Sequence, residues 1–434
     1  MEEPEGFTGL TETICLAHFT DLALFELVVG KADRRKCSYC DRRSVDGRIT
    51  AVSMDVVGRA VYDAATWLYQ DHGALRPDEW DDWGGGHDTA YVVEDCTSGA
   101  FDDSVIDEVN AHITDAIATP NYWMESGLRD EFLFSWEGFA ETVKHQSRFV
   151  YVGAREREGR RNEPPARVSR FLDGLAAYVQ DDMLTVIEPG EKLYRARMAE
   201  DGFSLRRDAR NDPAKHLGPA PAGKASAGRL NPEGVGLFYG ATTREVAVKE
   251  TALHSLYDDA VVGGFVAQRQ LTILDFTKSP ALPSIFAPHL RRQFLFARFA
   301  DDFEERLTHS VRLTGEERVE YVVTNVIGEY FRWAVEKKLD GIAWKSHLLD
   351  DGEEGKNVLV WASADDVRSD PPPKNDPADS PLWRRSFGPP SPTLTLSDRD
   401  VSVHRAKRFV TVSRPILPGD DDTAPMVMDV PSAE

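Results

Sequence analysis

The spacing of apolar residues switches between two periods along this chain, and each switch marks an expected change of element. Leu22, Phe25, Val28 and Val29 recur at helical spacing, as do Trp136, Phe139, Ala140 and Val143 ahead of a basic stretch from Lys144 to Arg148. A further helix is expected from Val168 to Leu184, after a hinge at 154–167 where arginines and the Pro164-Pro165 pair interrupt the pattern. Downstream, the run Leu237-Phe238-Tyr239-Gly240 predicts a strand that turns directly into a helix. That helix is expected to open at Thr242, with Glu245 three residues on as the reciprocal cap. Alternation from Ile342 to Ser346 predicts another short strand, and Val401, Val403, Phe409, Val410 and Val412 predict one or two more. Strands interleaved with helices make the fold class mixed α/β, with a mainly helical N-terminal part.

One position breaks the pattern in a chemically informative way. Glu250 falls on the helix face shared by Val246, Ala247, Leu253 and His254, where an apolar side chain is expected. A carboxylate placed there costs free energy unless a site uses it. Upstream, Leu217 to Pro232 is dominated by small residues that leave room for an anion beside backbone amides. From Ser204 to Asn231 the cations are Arg206, Arg207, Arg210, Lys215, Lys224 and Arg229, against Asp208 and Asp212 alone.

Overall charge sharpens that contrast. The 434 residues carry a formal charge of -22, so a locally basic loop points to one specific anionic ligand and away from nucleic-acid binding. The hydrophobic content of 41% is that of an ordinary globular chain, and its length allows two or three domains. No apolar run approaches a membrane span, and the acidic start Met1-Glu2-Glu3-Pro4-Glu5 is the opposite of a signal peptide. A cytoplasmic protein without membrane contact is therefore expected. The acidic stretch from Arg76 to Glu108, with Trp80 and Trp83, reads as a solvated loop, with a phosphate mimic that covers the basic loop as the alternative. The Pro-rich segment from Asp370 to Pro392 reads as an extended loop, and the chain beyond Arg414 as a disordered tail.

Four cysteines are too few for a disulfide framework in a chain of this size. Three of them join a histidine at a metal-ligand spacing: Cys15-x2-His18 and, eighteen residues later, Cys37-x2-Cys40. Two such knuckles close a tetrahedron, so a structural zinc is expected there, with reduced buried cysteines as the alternative. Cys96 is left as a free thiol.

Taken in order, Leu193-Tyr194-Arg195-Ala196-Arg197, Gly223 to Pro232, Phe238-Tyr239-Gly240-Ala241 and Glu250 resemble the RES domain. The resemblance continues through Glu320 to Asn325, Asp340 to Ser346 and Asn357 to Val360, spanning about residues 188 to 363. It implies an ADP-ribosyltransferase-like fold and cleavage of the nicotinamide-ribose bond of NAD, with phosphate or water as acceptor, in toxins that are paired with a separate antitoxin. By the family's namesake residues it implies Arg195 (or Arg197), Glu250 and Ser346 in the site. Glu250 would stabilise an oxocarbenium-like ribose. Arg195 and Arg229 would grip the pyrophosphate, with Lys224, Arg197, Asn231 and Asn357 as further substrate contacts. Tyr239 would stack on nicotinamide or donate to a phosphate, and Ser346 would position the attacking phosphate or water. Singly, each has a plainer reading: a buried Glu paired with a structural Arg, a core tyrosine tied to backbone, a serine in a turn.

The N-terminal part resembles the HEPN-type domain fused ahead of RES domains, through its paired knuckles and Trp136-x2-Phe139 followed by Val143-Lys144-His145. The Arg and His pair that HEPN nucleases carry is missing from residues 1 to 185, so a sensing, scaffolding or dimerising role is expected there. The resulting division is 1–50, a zinc-knuckle segment; 51–165, a helical domain; 166–415, the RES-like domain with a Pro-rich insertion at 366–395; and 416–434, the tail. A homo-oligomer and an inhibitor or antitoxin are the expected partners. Transfer of ADP-ribose to a macromolecule and nucleotide sensing without catalysis are the competing functions.

Overall fold

The computed structural model describes residues 6–40, 51–71, 87–118, 122–125, 136–146, 163–179, 183–253, 255–308, 317–349, 354–372 and 391–407. His254, the residues 72–86 of the acidic stretch, most of the Pro-rich segment, Phe409 to Val412 and the tail lie outside them.

The N-terminal part begins with β1 (Thr13–Cys15), α1 (Leu22–Val29), β2 (Ala51–Ser53) and α2 (Met54–Leu68). It continues through β3 (Tyr69–Asp71), β4 (His87–Asp88), α3 (Thr89–Thr97), α4 (Ile106–Ala116) and β5 (Tyr122–Glu125). Asp21 caps α1 and Asp88 caps α3, each accepting a backbone N–H of the first turn at 2.8 Å. β1 pairs with β2, and β3, β5 and β4 form a second small sheet, so this part is helical with two short antiparallel patches. Its core gathers Leu24, Val28, Val57, Val61, Val92, Val93, Val109, Ile113 and Trp123.

The segment α5 (Trp136–Glu141) and the π-turn Thr142–Gln146 bury Trp136, Phe139, Ala140 and Val143 as their spacing predicts, but in a different core. Their partners are α6 (Pro164–Tyr178) and two later helices, with Phe139, Phe171 and Phe299 in mutual ring contact. α6 starts four residues before the expected Val168 and ends at Tyr178. The reason is that Pro164 and Pro165 occupy the first turn, where a missing N–H costs nothing; they open the helix and do not interrupt it.

The second part follows as β6 (Leu184–Ile187), β7 (Lys192–Ala199), α7 (Gly202–Asp208), α8 (Pro213–Leu217), β8 (Phe238–Ala241) and α9 (Arg244–Leu253). After these come β9 (Asp259–Ala267), β10 (Leu271–Asp275), α10 (Arg291–Thr308), α11 (Glu317–Trp333), β11 (Gly341–Lys345), β12 (Lys356–Val360), β13 (Val367–Asp370), β14 (Leu394–Ser397) and β15 (Val401–Arg405). They build a ten-stranded sheet of order β13-β14-β9-β7-β8-β12-β11-β10-β6, with β15 also on β9. Pairing is antiparallel except for β10 with β11 and β13 with β14. The sheet is pinched at its centre, because β7 and β8 pair only at Tyr194 and Ala241.

α10 connects the two parts physically. Near its start, Phe294 lies in the N-terminal core against Trp67, and Arg298 reaches Asp95, which also accepts the Tyr69 hydroxyl at 2.6 Å. Farther along, Phe296, Phe299 and Phe303 are buried in the second core. Full burial of each such ring stabilises the fold by roughly 1.5–3 kcal/mol.

Candidate functional site

A cleft of about 760 Å³ opens at the pinch in the sheet, within the range of small-molecule and cofactor sites. Glu250 is on its wall, and so are Arg195, Lys224, Arg229, Asn231, Tyr239 and Asn357. Arg197 and Ser346 are not among the residues that line it.

Glu250 reaches the cleft because α9 packs against the sheet through Val246 and Ala247. The helix begins one residue later than its sequence pattern implies: Thr243 accepts from Val246 N at 3.3 Å, while the Thr242 hydroxyl is held by Lys356 N at 2.9 Å. Leu253, expected on the buried face, is exposed, because α9 ends there. Glu250 Oε1 accepts from Ser346 Oγ at 2.6 Å and from Asn357 Nδ2 at 2.7 Å. Ser346 is 1% exposed and just past the end of β11, where Leu348 N also donates to it. Its hydroxyl is buried and committed to the carboxylate, off the wall of the cleft. Asn357 donates to the same oxygen from β12 while also lining the cleft. Among the described residues Oε2 of Glu250 takes no hydrogen bond.

Arg195 stands where β7 leaves β8, and its Nη1 donates to Tyr239 O at 2.6 Å. Burial first, and the charge of Arg197 second, push its guanidinium down to about 10, so it remains a cation at neutral pH. Its Nε is buried with no acceptor. Arg197 donates to Gly218 O at 3.4 Å, bracing the loop after α8, which is why it is absent from the cleft wall.

The loop from 218 to 236 is stiffer than its small residues imply. Gly223 N donates to Gly234 O, Gly234 N to Ala225 O and Gly228 N to Asn231 O, so these three amides are satisfied within the loop. Asn231 is 4% exposed and donates from Nδ2 to the carbonyls of Ser226, Pro232 and Val235. Its Oδ1 accepts the Tyr239 hydroxyl at 2.8 Å, and that hydroxyl in turn accepts Leu230 N. The Tyr239 proton is thus taken within the loop, and burial pushes its phenol upward. Two glycines are required by close approach: a Cβ at Gly236 would lie 1.9 Å from Ala220 O, and one at Gly228 2.4 Å from Asn231 Oδ1. Arg229 lines the cleft while Nη1 donates to Leu307 O and, at 3.4 Å, to Thr308 O at the end of α10. A cation there also complements the helix's negative end. Lys224 is exposed at the rim. Arg206 is elsewhere, paired with Asp398.

A second cluster lies in the N-terminal part. Cys15, His18, Cys37 and Cys40 bring one ligand atom each to within 4.8 Å of one another. Cys15 Sγ and Cys40 Sγ are 3.9 Å apart, close to the roughly 3.8 Å that metal–sulfur bonds of about 2.3 Å span in a tetrahedron. Cys37 Sγ accepts the backbone N–H groups of Cys15 and Tyr39. His18 is 3% exposed; its Nδ1 pairs with Asp102 Oδ2 at 2.6 Å, and its Nε2 is buried without a partner. A carboxylate behind one imidazole nitrogen and an orphan on the other is how a metal-binding histidine is held. This group fits a metal ion.

Sequence reasoning missed Asp102, which sits in the acidic run and has no spacing rule to tie it to His18. It also missed Thr251, Tyr321 and Trp344, which line the cleft. Cys96 is a buried free thiol, as expected.

Two family models match the chain. Residues 192–385 match the RES domain model, and residues 30–157 match the model of HEPN/RES N-terminal domain 1. The chain carries a RES domain. The RES domain match contains the whole cleft, and the N-terminal match contains Cys37, Cys40 and Asp102, but not Cys15 or His18. No curated protein and no solved structure matches the chain. Among the described residues no helix is long and apolar enough to cross a membrane.

Proposed function

We propose that the RES domain binds NAD in this cleft and breaks its nicotinamide–ribose bond, as an NAD phosphorylase or NAD glycohydrolase acting as a toxin or defence effector. The observation that carries the reading is the Glu250 carboxylate, held by Ser346 and Asn357 on the wall of a cleft that also presents Arg195, Arg229 and Lys224. Departure of nicotinamide leaves an oxocarbenium-like ribose, which an oriented carboxylate stabilises electrostatically. The unbonded Oε2 is available for that charge or for the ribose hydroxyls. Arg195, fixed through Nη1, offers its remaining donors to the pyrophosphate, with Arg229 and Lys224 beside it. Tyr239 contributes the shape of the loop.

An ADP-ribosyltransferase-like fold is part of this reading, supported by a largely antiparallel sheet pinched at Tyr194 and Ala241 with the cleft at the pinch. A metal-bearing helical part ahead of the RES domain belongs to this reading, with residues 136–146 packed into the RES-side core and zinc as the metal on Cys15, His18, Cys37 and Cys40. When bound, zinc cross-links two chain segments; the residues around it orient His18 and screen the sulfurs. An antitoxin-like inhibitor, self-association and a cytoplasmic setting belong to the same reading.

The test is incubation of purified protein with NAD, with and without inorganic phosphate, and product identification by mass spectrometry. Free nicotinamide with ADP-ribose, or with its 1-phosphate when phosphate is present, is expected. Labelled protein or nucleic acid with little free ADP-ribose would replace hydrolysis by transfer, and tight binding without turnover would make the cleft a sensor.

Two substitutions probe the supporting residues. Ser346→Ala removes a hydrogen bond to a charged acceptor, and the NAD turnover rate should fall about 10- to 100-fold with little change in KM. Asp102→Ala should weaken metal binding about 10- to 100-fold in competition with a chromophoric chelator, leaving one metal per chain at saturation.

A further inference from the structure

Trp344 is unused in the account so far. It is 3% exposed, it lines the cleft, and its indole Nε1 is buried with no acceptor among the described residues. A buried N–H without a partner is costly, and a native structure retains one where something else satisfies it. Register places Trp344 directly opposite Asn357 across β11 and β12, so both side chains leave the sheet on one face. Asn357 is on Glu250, and so is Ser346, two residues beyond Trp344 and on the same side. The backbone here is pinned, since Lys345 N donates to Glu304 and Lys345 O accepts Thr308 Oγ1, both from α10. Trp344 therefore stands opposite one of the two residues that hold the carboxylate, on a backbone fixed by α10.

We propose that Trp344 Nε1–H donates to an oxygen acceptor on the part of the ligand held over Glu250, making Trp344 a specificity residue of the cleft. This rests on the NAD reading: the acceptor is on the nicotinamide–ribose half, and the adenosine half does not touch it. Arg195, which also lines the cleft with a buried Nε that lacks an acceptor among the described residues, serves the phosphates.

Trp344→Phe keeps a ring in the cavity and deletes only the donor. Calorimetric titration of the wild-type protein and this variant with nicotinamide mononucleotide and with ADP should show the mononucleotide weakened about 3- to 10-fold and ADP unchanged. A purely packing role would weaken both ligands together and lower the melting temperature; equal losses, or none, overturn the assignment. If the variant does not fold, the wild-type protein answers the same question by NMR. One of its nine tryptophan N–H signals should move downfield with the mononucleotide and stay in place with ADP. A spectrum with no such shift overturns the proposal. Failure of the wild-type protein to bind either ligand would remove the NAD reading and this assignment with it.

Discussion

Glu250→Gln is expected to lower the rate of NAD consumption by about 10²- to 10³-fold while leaving the melting temperature nearly unchanged. The amide has the shape of the carboxylate, and its Oε1 can still accept from Ser346 Oγ and Asn357 Nδ2. What disappears is the negative charge, which matters only when positive charge develops on the ribose. Since the interaction is strongest in the transition state, the loss should appear in kcat more than in KM. Chromatographic measurement of remaining NAD, with a thermal melt on the same sample, separates this from unfolding. A variant with unchanged turnover would mean that Glu250 is a structural partner of Ser346 and Asn357 alone.

The second large effect concerns stability. Stripping the metal with a strong chelator, or replacing Cys37 with Ser, should remove one metal equivalent per chain and lower the melting temperature of the N-terminal core by about 10 °C or more. Cys37 is 2% exposed and its sulfur already accepts two backbone N–H groups, so no neighbouring residue can take its place. The tie is structural as well as local: β1 ends at Cys15, and β1 pairs with β2 ahead of the long α2. NAD turnover should fall in parallel, because α10 has Phe294 in that core and, at its far end, the carbonyls that hold Arg229. Elemental analysis alongside calorimetry measures the first two effects. A metal-free chain with an unaltered melt would show that the four ligands are a reduced thiol cluster.

Local pattern carried a good deal of this architecture. The misplacement of a carboxylate among apolar residues pointed to Glu250, and the C-x2-H and C-x2-C spacing found the metal group, because both signals are short-range. Chain chemistry at element ends was less legible. Thr242 and Thr243 are equally good caps on paper, and only the pull of Lys356 N on Thr242 decides between them. Similarly, Pro164 and Pro165 can end one segment or start the next, and packing of Phe171 against Phe299 selects the helix.

The partners of Ser346, Asn357 and Tyr239 were not legible for one reason. Each is defined by a partner elsewhere in the sheet or loop, with Ser346 and Asn357 meeting Glu250 from about a hundred positions away in sequence. Periodicity holds no information about such pairings. Asp102 and Trp344 were invisible for the same cause, one hidden in an acidic run and the other in an apolar strand. Sharing of Phe294 between the two halves was equally unreadable, since an amphipathic helix does not announce which core each turn will enter.

The most direct measurement is a structure of the Glu250→Gln protein soaked with NAD. The nicotinamide ribose should lie against position 250, with the pyrophosphate within hydrogen-bond distance of Arg195 and beside Arg229. A dinucleotide bound with its adenine at position 250, or a cleft that stays empty while NAD binds elsewhere, would contradict the account.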